Sequence, residues 1–422
     1  MPPSPTQRPH TRPHTRPKVA VFFGGQSPEH DVSIVTGLQV LHAIDQTRYA
    51  PFPVYIAPNG TWLVGDALAN RCNYWLNAKT KATLTPVTLD FSNTRGRGRL
   101  LPHHKSIFQS MFQRPQPIDF DIALPAMHGL YGEDGNLQGC FEIAHLPYAG
   151  PRTHDAAIFM NKATTKRLLQ QLDIPALAYT VIQRPQEGLL LKPDALKQVA
   201  KDITFPACVK PNHLGSSIGV AKVTSAEELN AVLPAIFKYD SQAIVEPFVD
   251  NLVEYNVAIR RTTTGEIITS AIEQPKSSAE LLDFKEKYLS GGADKLGNKI
   301  GSKTSANQSG GMASLTRIVN PKISSKMQAN IRQWSTTLYQ AVEATGAPRV
   351  DFLCNQKTGE LWLNEVNPFP GSVGYYLWEA APQPILFTQL LNELLDEAQS
   401  CHHSSTLPED PTPEAGRLFV RQ

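Results

Sequence analysis

Residues 18–33 read KVAVFFGGQSPEHDVS, and the order of residue types in this stretch decides the fold class. Lys18–Phe23 is a short β-rich run that ends at Gly24-Gly25. Ser27-Pro28-Glu29 then reads as a helix start, with Ser27 at the N-cap, Pro28 at the first helical position and acid in the first turn. The pattern returns downstream, where a strand at Phe120–Pro125 leads into His128-Gly129, a loop with Gly132 and Gly135, and an apolar helical stretch through Ile143. Strand, glycine turn and helix, repeated, predict an α/β fold on a parallel sheet. Such sheets bind ligands at the carboxyl ends of their strands. Glu29 and His128 both fall just after such ends.

Working outward, Gly150-Pro151 marks a boundary. Thr153–Gln171 has helical periodicity, Pro206–Lys210 is a strand entering a glycine loop, and Thr224–Phe237 is an amphipathic helix. In that helix Ser225 and Glu228 fit a capping box, and Pro234 should bend the last turns. Another β-rich region begins at 242–249. Residues 290–314 are dominated by Gly, Ser, Lys and Asn, which suits either a mobile lid or a flexible surface insertion. Lys287 and Tyr288 at its root favour the lid, taken as 288–316. RPHTRPHTRP at 8–17 has too much proline for a helix, so 1–17 is expected to be a disordered tail. After Ala398 the chain turns polar, and 399–422 is expected to fray.

The chain has 422 residues, which suggests two or three domains. A net charge of +2 gives no general reason to expect nucleic acid or a membrane as a partner. Cys72, Cys140, Cys208, Cys354 and Cys401 are odd in number and widely spaced, which argues against a disulfide framework or zinc site and favours a reducing cytoplasm. No apolar run is long enough for a membrane helix.

Arg349–Cys354 (RVDFLC) and Leu361–Asn367 (LWLNEVN) flank a turn-rich segment and read as a hairpin. If Asp351 pairs with Glu365, Arg349 faces Asn367 and all four share one face, leaving Val350, Phe352, Trp362 and Val366 for the packed underside. Two carboxylates and an amide on one face suit Mg²⁺ shared with substrate phosphates; the alternative is a charged, solvated face. Lys210 at a strand end, followed by Gly215, Ser216, Ser217 and Gly219, offers a cation and backbone N–H groups to phosphate, without a Walker A sequence. Lys162 reads equally as a solvated helix lysine. Glu246 and Glu254 flank Pro247-Phe248-Val249 and could hold a nucleoside or be a surface pair. His128 could shuttle a proton, contact an anion or be structural.

Taken in order, GGQSPEHDVS (24–33), HGLYGEDGNLQG (128–139), MNKATTKRLL (160–169), VKPNHLGSSIGV (209–220), EKYL (286–289), RVDF (349–352) and NEVNPFPG (364–371) resemble the D-alanine–D-alanine ligase family. The resemblance spans about 18–395 and implies a three-domain ATP-grasp fold, α/β in its N-terminal parallel-sheet domain (18–150) and α+β in its ATP-binding parts (151–245 and 246–398). It implies ATP-dependent joining of two D-alanines through an acyl phosphate, for peptidoglycan synthesis, by a cytoplasmic homodimer with Mg²⁺ or Mn²⁺ as two ions. By motif position, Lys162, Lys210 and Lys287 match the phosphate lysines, Ser217 falls in the same phosphate loop, and Glu246, Phe248 and Val249 match the adenine hinge, with Glu254 the ribose ligand. Asp351, Glu365 and Asn367 match the metal ligands. Glu29 matches the acid holding the first substrate's ammonium, oriented by Ser216 and Tyr288, and His128 a neighbouring substrate contact. Arg349 and the Gly371 backbone match the oxyanion stabilisers.

Two positions depart from the family. Asn161 stands where an acid is common, and SVGYYLWE follows Gly371, with Tyr375 and Tyr376 about where a serine usually holds the second substrate's carboxylate. Tyr376 and Leu377 are thereby the candidate contacts for that substrate. Tyr288, where ester-forming relatives tend to carry phenylalanine, favours an amine nucleophile. The alternatives to D-alanine ligation are a dipeptide or natural-product amide ligase with the same mechanism, and a non-catalytic nucleotide-binding protein.

Overall fold

The computed structural model describes residues 16–74, 78–92, 96–103, 116–215, 218–275, 317–406 and 416. Residues 1–15 of the N-terminal tail, Ser216, Ser217, Lys287, Tyr288, the lid at 288–316, and most of 407–422 lie outside the described residues.

The described residues build three sheets. The first contains β1 (Lys18–Gly24), β2 (Ala50–Ile56), β3 (Trp62–Val64), β4 (Thr85–Leu89), β5 (Gly98–Pro102), β6 (Ile118–Phe120) and β7 (Ile122–Pro125), in the order β6-β5-β4-β3-β2-β1-β7. Only β1 with β2 and β1 with β7 run parallel. The remaining pairs are antiparallel, so the expected parallel sheet is mixed. The connections explain this. Helix His30–Ala43 separates β1 from β2, long enough for a parallel crossover, whereas β2 and β3 are joined by a tight turn in which Gly60 N–H donates to Ala57 O. The expected strand at Phe120–Pro125 is interrupted at Asp121, with β6 and β7 on opposite edges of the sheet.

Strand β1 is buried on both faces, as its apolar run requires. Val19, Val21 and Phe23 enter one core with Leu38, Leu41 and Trp378; Ala20 and Phe22 enter another with Phe120, Phe141 and Tyr148. Period-two alternation along one strand thus supplies two cores, and each buried Phe contributes on the order of 1.5–3 kcal/mol. The His30–Ala43 helix starts later than the sequence suggests: Ser27 O accepts from His30 N–H and Ser27 Oγ from Glu29 N–H, making a turn that leaves Glu29 at the N-cap.

The second sheet is antiparallel, β10 (Ala221–Val223), β9 (Ala207–Pro211), β11 (Gln242–Pro247) and β8 (Thr180–Gln183) in that order. Helix Ala226–Phe237 covers it with Leu229, Val232, Leu233 and Ile236. Ser225 caps that helix by accepting from Glu228 N–H, and the Glu228 carboxylate accepts from Thr224 N–H and Oγ1.

The third sheet is also antiparallel, in the order β14 (Arg317–Val319), β13 (Ile267–Pro275), β12 (Leu252–Arg261), β15 (Arg349–Asn355), β16 (Leu361–Asn367). The hairpin register is as expected, Arg349 opposite Asn367 and Asp351 opposite Glu365. A bulge then shifts the pairing so that Phe352 meets Leu363 and Leu353 meets Trp362. Trp362 is therefore off the packed underside, which carries Val350, Phe352, Cys354, Leu361, Leu363 and Val366. The extra residue places Asn364 beside Glu365 on the open side.

The helical stretch 153–171 is two helices, Thr153–Met160 and Lys162–Gln171, broken at Asn161, whose side chain accepts from Thr164 N–H. At the other end, helix Phe387–Ser405 continues past Ala398, so residues 399–405 are helical where fraying was expected; Leu390, Leu391, Leu394, Leu395 and Ala398 anchor the helix in the first core. At the opposite terminus Pro17 O accepts from Ala50 N–H, which ties down the last residue of the proline-rich tail.

A buried carboxylate, Asp155, and a half-buried one, Glu397, hold the turn before β15. Asp155 accepts from Thr345 N–H at 3.0 Å and Glu397 from Gly346 N–H at 2.9 Å. Burial pushes Asp155 up to about 6 and Glu397 up to about 7. The folded state thus keeps protons that the unfolded chain releases, so this pair's contribution to stability declines as pH rises from the ordinary carboxylate range through about 7. Glu397→Gln should flatten the fall in unfolding free energy between pH 5 and pH 8, measured by urea titration. A slope equal to that of the parent protein would contradict the assignment.

Candidate active site

The three sheets meet around a cleft of about 390 Å³. Each sheet contributes residues through its strand ends. The first brings Glu29 and His128, and the second Lys210, Glu246, Phe248 and Val249. From the third come Glu254, Arg349, Asp351, Glu365 and Asn367, followed by Gly371 and Tyr376, while Lys162 enters from the helix it begins. Every one of these predicted residues lines the same cleft.

Charge is arranged along the cleft floor. Lys166 Nζ lies 2.6 Å from Glu246 Oε1 and Lys210 Nζ 2.8 Å from Glu246 Oε2. Lys210 also donates to Asn364 Oδ1 at 3.0 Å, which depends on the bulge in β16. Lys162 lies 3.3 Å from Glu365 and donates to Leu214 O at 2.5 Å. Burial works against the Glu246 carboxylate, but Lys210 and Lys166 outweigh it and hold the group down at about 2. Burial also opposes the Lys210 ammonium, yet Glu246 and Glu365 together leave it above its ordinary value. Lys166, the deeper of the two, is depressed by burial despite Glu246. The Glu246 side chain is thus committed to two lysines, which leaves the backbone of 246–249 to face the cleft.

The acids on β12, β15 and β16 crowd one another. Glu254 is pushed up to about 7 by burial, then by Asp351 and Glu365. Asp351 is pushed up to about 6 by burial, although Arg349 pairs with it through two bonds of 2.7 Å. Asn367 Nδ2 donates to Asp351 at 2.9 Å. Among the described residues no three His, Cys, Asp or Glu side chains form a metal cage. The set is two carboxylates and an amide, with excess negative charge, and these hard oxygen donors fit a divalent cation whose remaining ligands come from phosphate.

At the opposite end, Glu29 and His128 are buried at the cleft wall. The loop after β9 closes over Glu29, where a Cβ on Gly215 would stand 3.3 Å from Glu29 Oε1. Gly129 is required here: its φ is 74°, and a Cβ would fall 2.2 Å from Ser27 Oγ and 2.7 Å from Glu29 Oε2.

Leu377 is not in the cleft. It is wholly buried in the first core, because it sits in the short helix Tyr375–Glu379 on the side facing helix Phe387–Ser405. Tyr375 likewise leaves the site and stacks on Phe387. Tyr376 does line the cleft, donating to Glu273 Oε1 at 3.1 Å, with the Arg317 guanidinium 3.8 Å over its ring. Glu273 also accepts from Asn256 and Arg317. Sequence reading missed Lys166, Asn364, Glu273, Arg317 and Asn256. Only Lys166 carried a usable signal, four residues after Lys162 and so on the same helix face.

Lys166→Met should cost about 3 kcal/mol in urea unfolding, the low end for a broken buried pair, because Lys210 still accompanies Glu246. A loss under about 1 kcal/mol would show the pair to be loosely solvated.

Residues 18–151 match the family described as D-ala D-ala ligase N-terminus, and residues 168–396 match D-ala D-ala ligase C-terminus. A D-alanine–D-alanine ligase of Thermosipho africanus is 30% identical over 380 residues, 90% of this chain and 92% of that protein. A D-alanine–D-alanine ligase A of Bradyrhizobium diazoefficiens is 30% identical over 91% of this chain and 95% of its own length. Among solved structures, the D-alanine–D-alanine ligase of Coxiella burnetii aligns with a TM-score of 0.69 at 22% identity, covering 92% of this chain and 95% of that one. The VanG D-Ala:D-Ser ligase of Enterococcus faecalis aligns at 0.66 and 24%, covering 91% and 100%. At such identities the structures speak to the fold, which is the three-domain α/β ATP-grasp fold. The chain belongs to the D-alanine–D-alanine ligase family of ATP-dependent ligases.

Proposed function

We propose that this protein joins two D-alanines, consuming ATP, for cell-wall peptidoglycan, with the cleft residues in the roles that their motifs suggest. The observation that carries the reading is the meeting of Lys162, Lys210, Asp351, Glu365 and Asn367 with Glu29 in one cleft. A cytoplasmic location and a homodimer accompany this reading; no helix among the described residues is long and apolar enough to cross a membrane.

A carboxylate is a poor electrophile, and phosphorylation turns it into an acyl phosphate. In this reading Glu29 holds the first substrate's ammonium, and His128 lies beside it. Lys162 and Lys210 offset charge on the phosphoryl group in transfer, which is electrostatic work. The backbone of Glu246, Phe248 and Val249 takes the adenine and Glu254 the ribose. Asp351, Glu365 and Asn367 would hold divalent cations, two Mg²⁺ or Mn²⁺, whose chemistry is to neutralise phosphate charge. The second amine then attacks the acyl carbon, Arg349 with the Gly371 backbone stabilises the oxyanion, and collapse breaks the acyl carbon–oxygen bond to release inorganic phosphate as the amine loses a proton. Ser216, Ser217, Lys287 and Tyr288 keep the parts their motif positions suggest.

A second reading, the same reaction with another amine as acceptor, is favoured by Tyr376, which reaches the cleft where the sequence leads one to expect a serine. A panel of amino acids separates the two. Phosphate release from ATP should depend on D-alanine alone; turnover only with a different second amine would establish the alternative. Glu365→Ala should reduce turnover on the order of a thousandfold or more, since it removes both the cation's carboxylate and the partner of Lys162. Retained activity would contradict the assignment, and ATP binding without turnover by any amino acid would indicate a non-catalytic nucleotide-binding protein.

A further inference from the structure

The turn that follows β16 is strained. Residues Gly371–Gly374 form a tight helical turn in which Ser372, Val373 and Gly374 all have positive φ, at 53°, 56° and 60°. For a β-branched residue this is an outlier, and it persists only where the surroundings over-determine it. Val373 and Ser372 are both buried. What holds them is the first-domain helix His30–Ala43. Ser372 N–H donates to Thr36 Oγ1 at 3.2 Å, and Ser372 Oγ donates to Gln39 Oε1. Thr36 Oγ1 also lies 2.8 Å from His128 Nε2. A second tie runs alongside, with Glu133 accepting from Phe369 N–H at 3.3 Å and from Gly129 N–H at 2.8 Å.

We propose that Thr36 and Gln39 are positioning residues: they seat the strained Gly371–Gly374 turn against the helix whose N-cap is Glu29. Neither touches substrate. The inference rests on the reading above, in which Glu29 holds the first substrate and the Gly371 backbone faces the oxyanion. Thr36 stands between His128 on one wall and the amide following Gly371 on the other, so one hydroxyl sets the spacing of the two ends of the acyl site. Its burial leaves no water to replace it.

The test uses the full chain and steady-state phosphate release at saturating ATP. Thr36→Val keeps the shape and deletes the oxygen; kcat should fall on the order of tenfold or more, with KM for ATP unchanged, as expected for a misplaced reacting group. Thr36→Ser should recover kcat to within about threefold, because it restores the hydrogen bonds, a rescue that packing alone would not give. Gln39→Leu, at a half-buried position, should lower kcat in the same sense, and it decides the matter if Thr36→Val does not fold. A parent-like kcat in the variant that folds, or a rise in KM for ATP alone, would overturn the proposal. Glu29→Gln serves as the reference. If it raises the first substrate's KM while Thr36→Val and Gln39→Leu keep kcat, only this inference falls; if it changes nothing, the reading of Glu29 falls as well.

Discussion

Burying Glu246 between two lysines is the interaction on which the rest of the site depends. All three charged groups lie out of water, and each would be costly there alone. Together they fix the end of β11 to the end of β9 and to the helix beginning at Lys162. Lys210 is thereby held where it also meets Asn364 and the field of Glu365. Surface pairs such as Arg48 with Asp396 are half exposed and contribute little beside this.

Charge excess on the neighbouring hairpin complements it. Glu254, Asp351 and Glu365 stand on adjacent strands of one sheet, and burial together with their mutual repulsion raises Glu254 and Asp351, a state that a bound cation would relieve. Lys210 from the second sheet and Lys162 from its helix face Glu254, Asp351 and Glu365 of the third sheet across one cleft. A nucleotide with its metal carries both signs. The first domain adds Glu29 and His128 at the cleft's other end, joined to the third sheet's exit turn through Thr36 and Glu133.

Much of this was legible in the sequence, for physical reasons. The period of two fixes which residues share a face, so Arg349, Asp351, Glu365 and Asn367 could be placed together from the hairpin alone. The bulge at Asn364 could not, because it is a local accommodation with no residue type that announces it, and Trp362 was misplaced as a result. The parallel core at β1 follows from its all-apolar run and the helix after it. The antiparallel extension through β3–β6 is made of strands of three to five residues, too short for a pattern to show. Leu377 and Tyr376 are neighbours whose fates diverge because a single helical turn points one into the core and the other into the cleft. Thr36 and Gln39 left no sequence signal, since the turn they hold lies more than 300 residues away.

The central claim is that this cleft activates a carboxylate by phosphorylating it. D-alanine labelled with ¹⁸O in its carboxylate tests this directly, with the isotope followed into released inorganic phosphate by mass spectrometry. An acyl phosphate intermediate passes one carboxylate oxygen to phosphate, so each turnover should deliver one ¹⁸O. Phosphate released with no label during dipeptide synthesis would contradict the account.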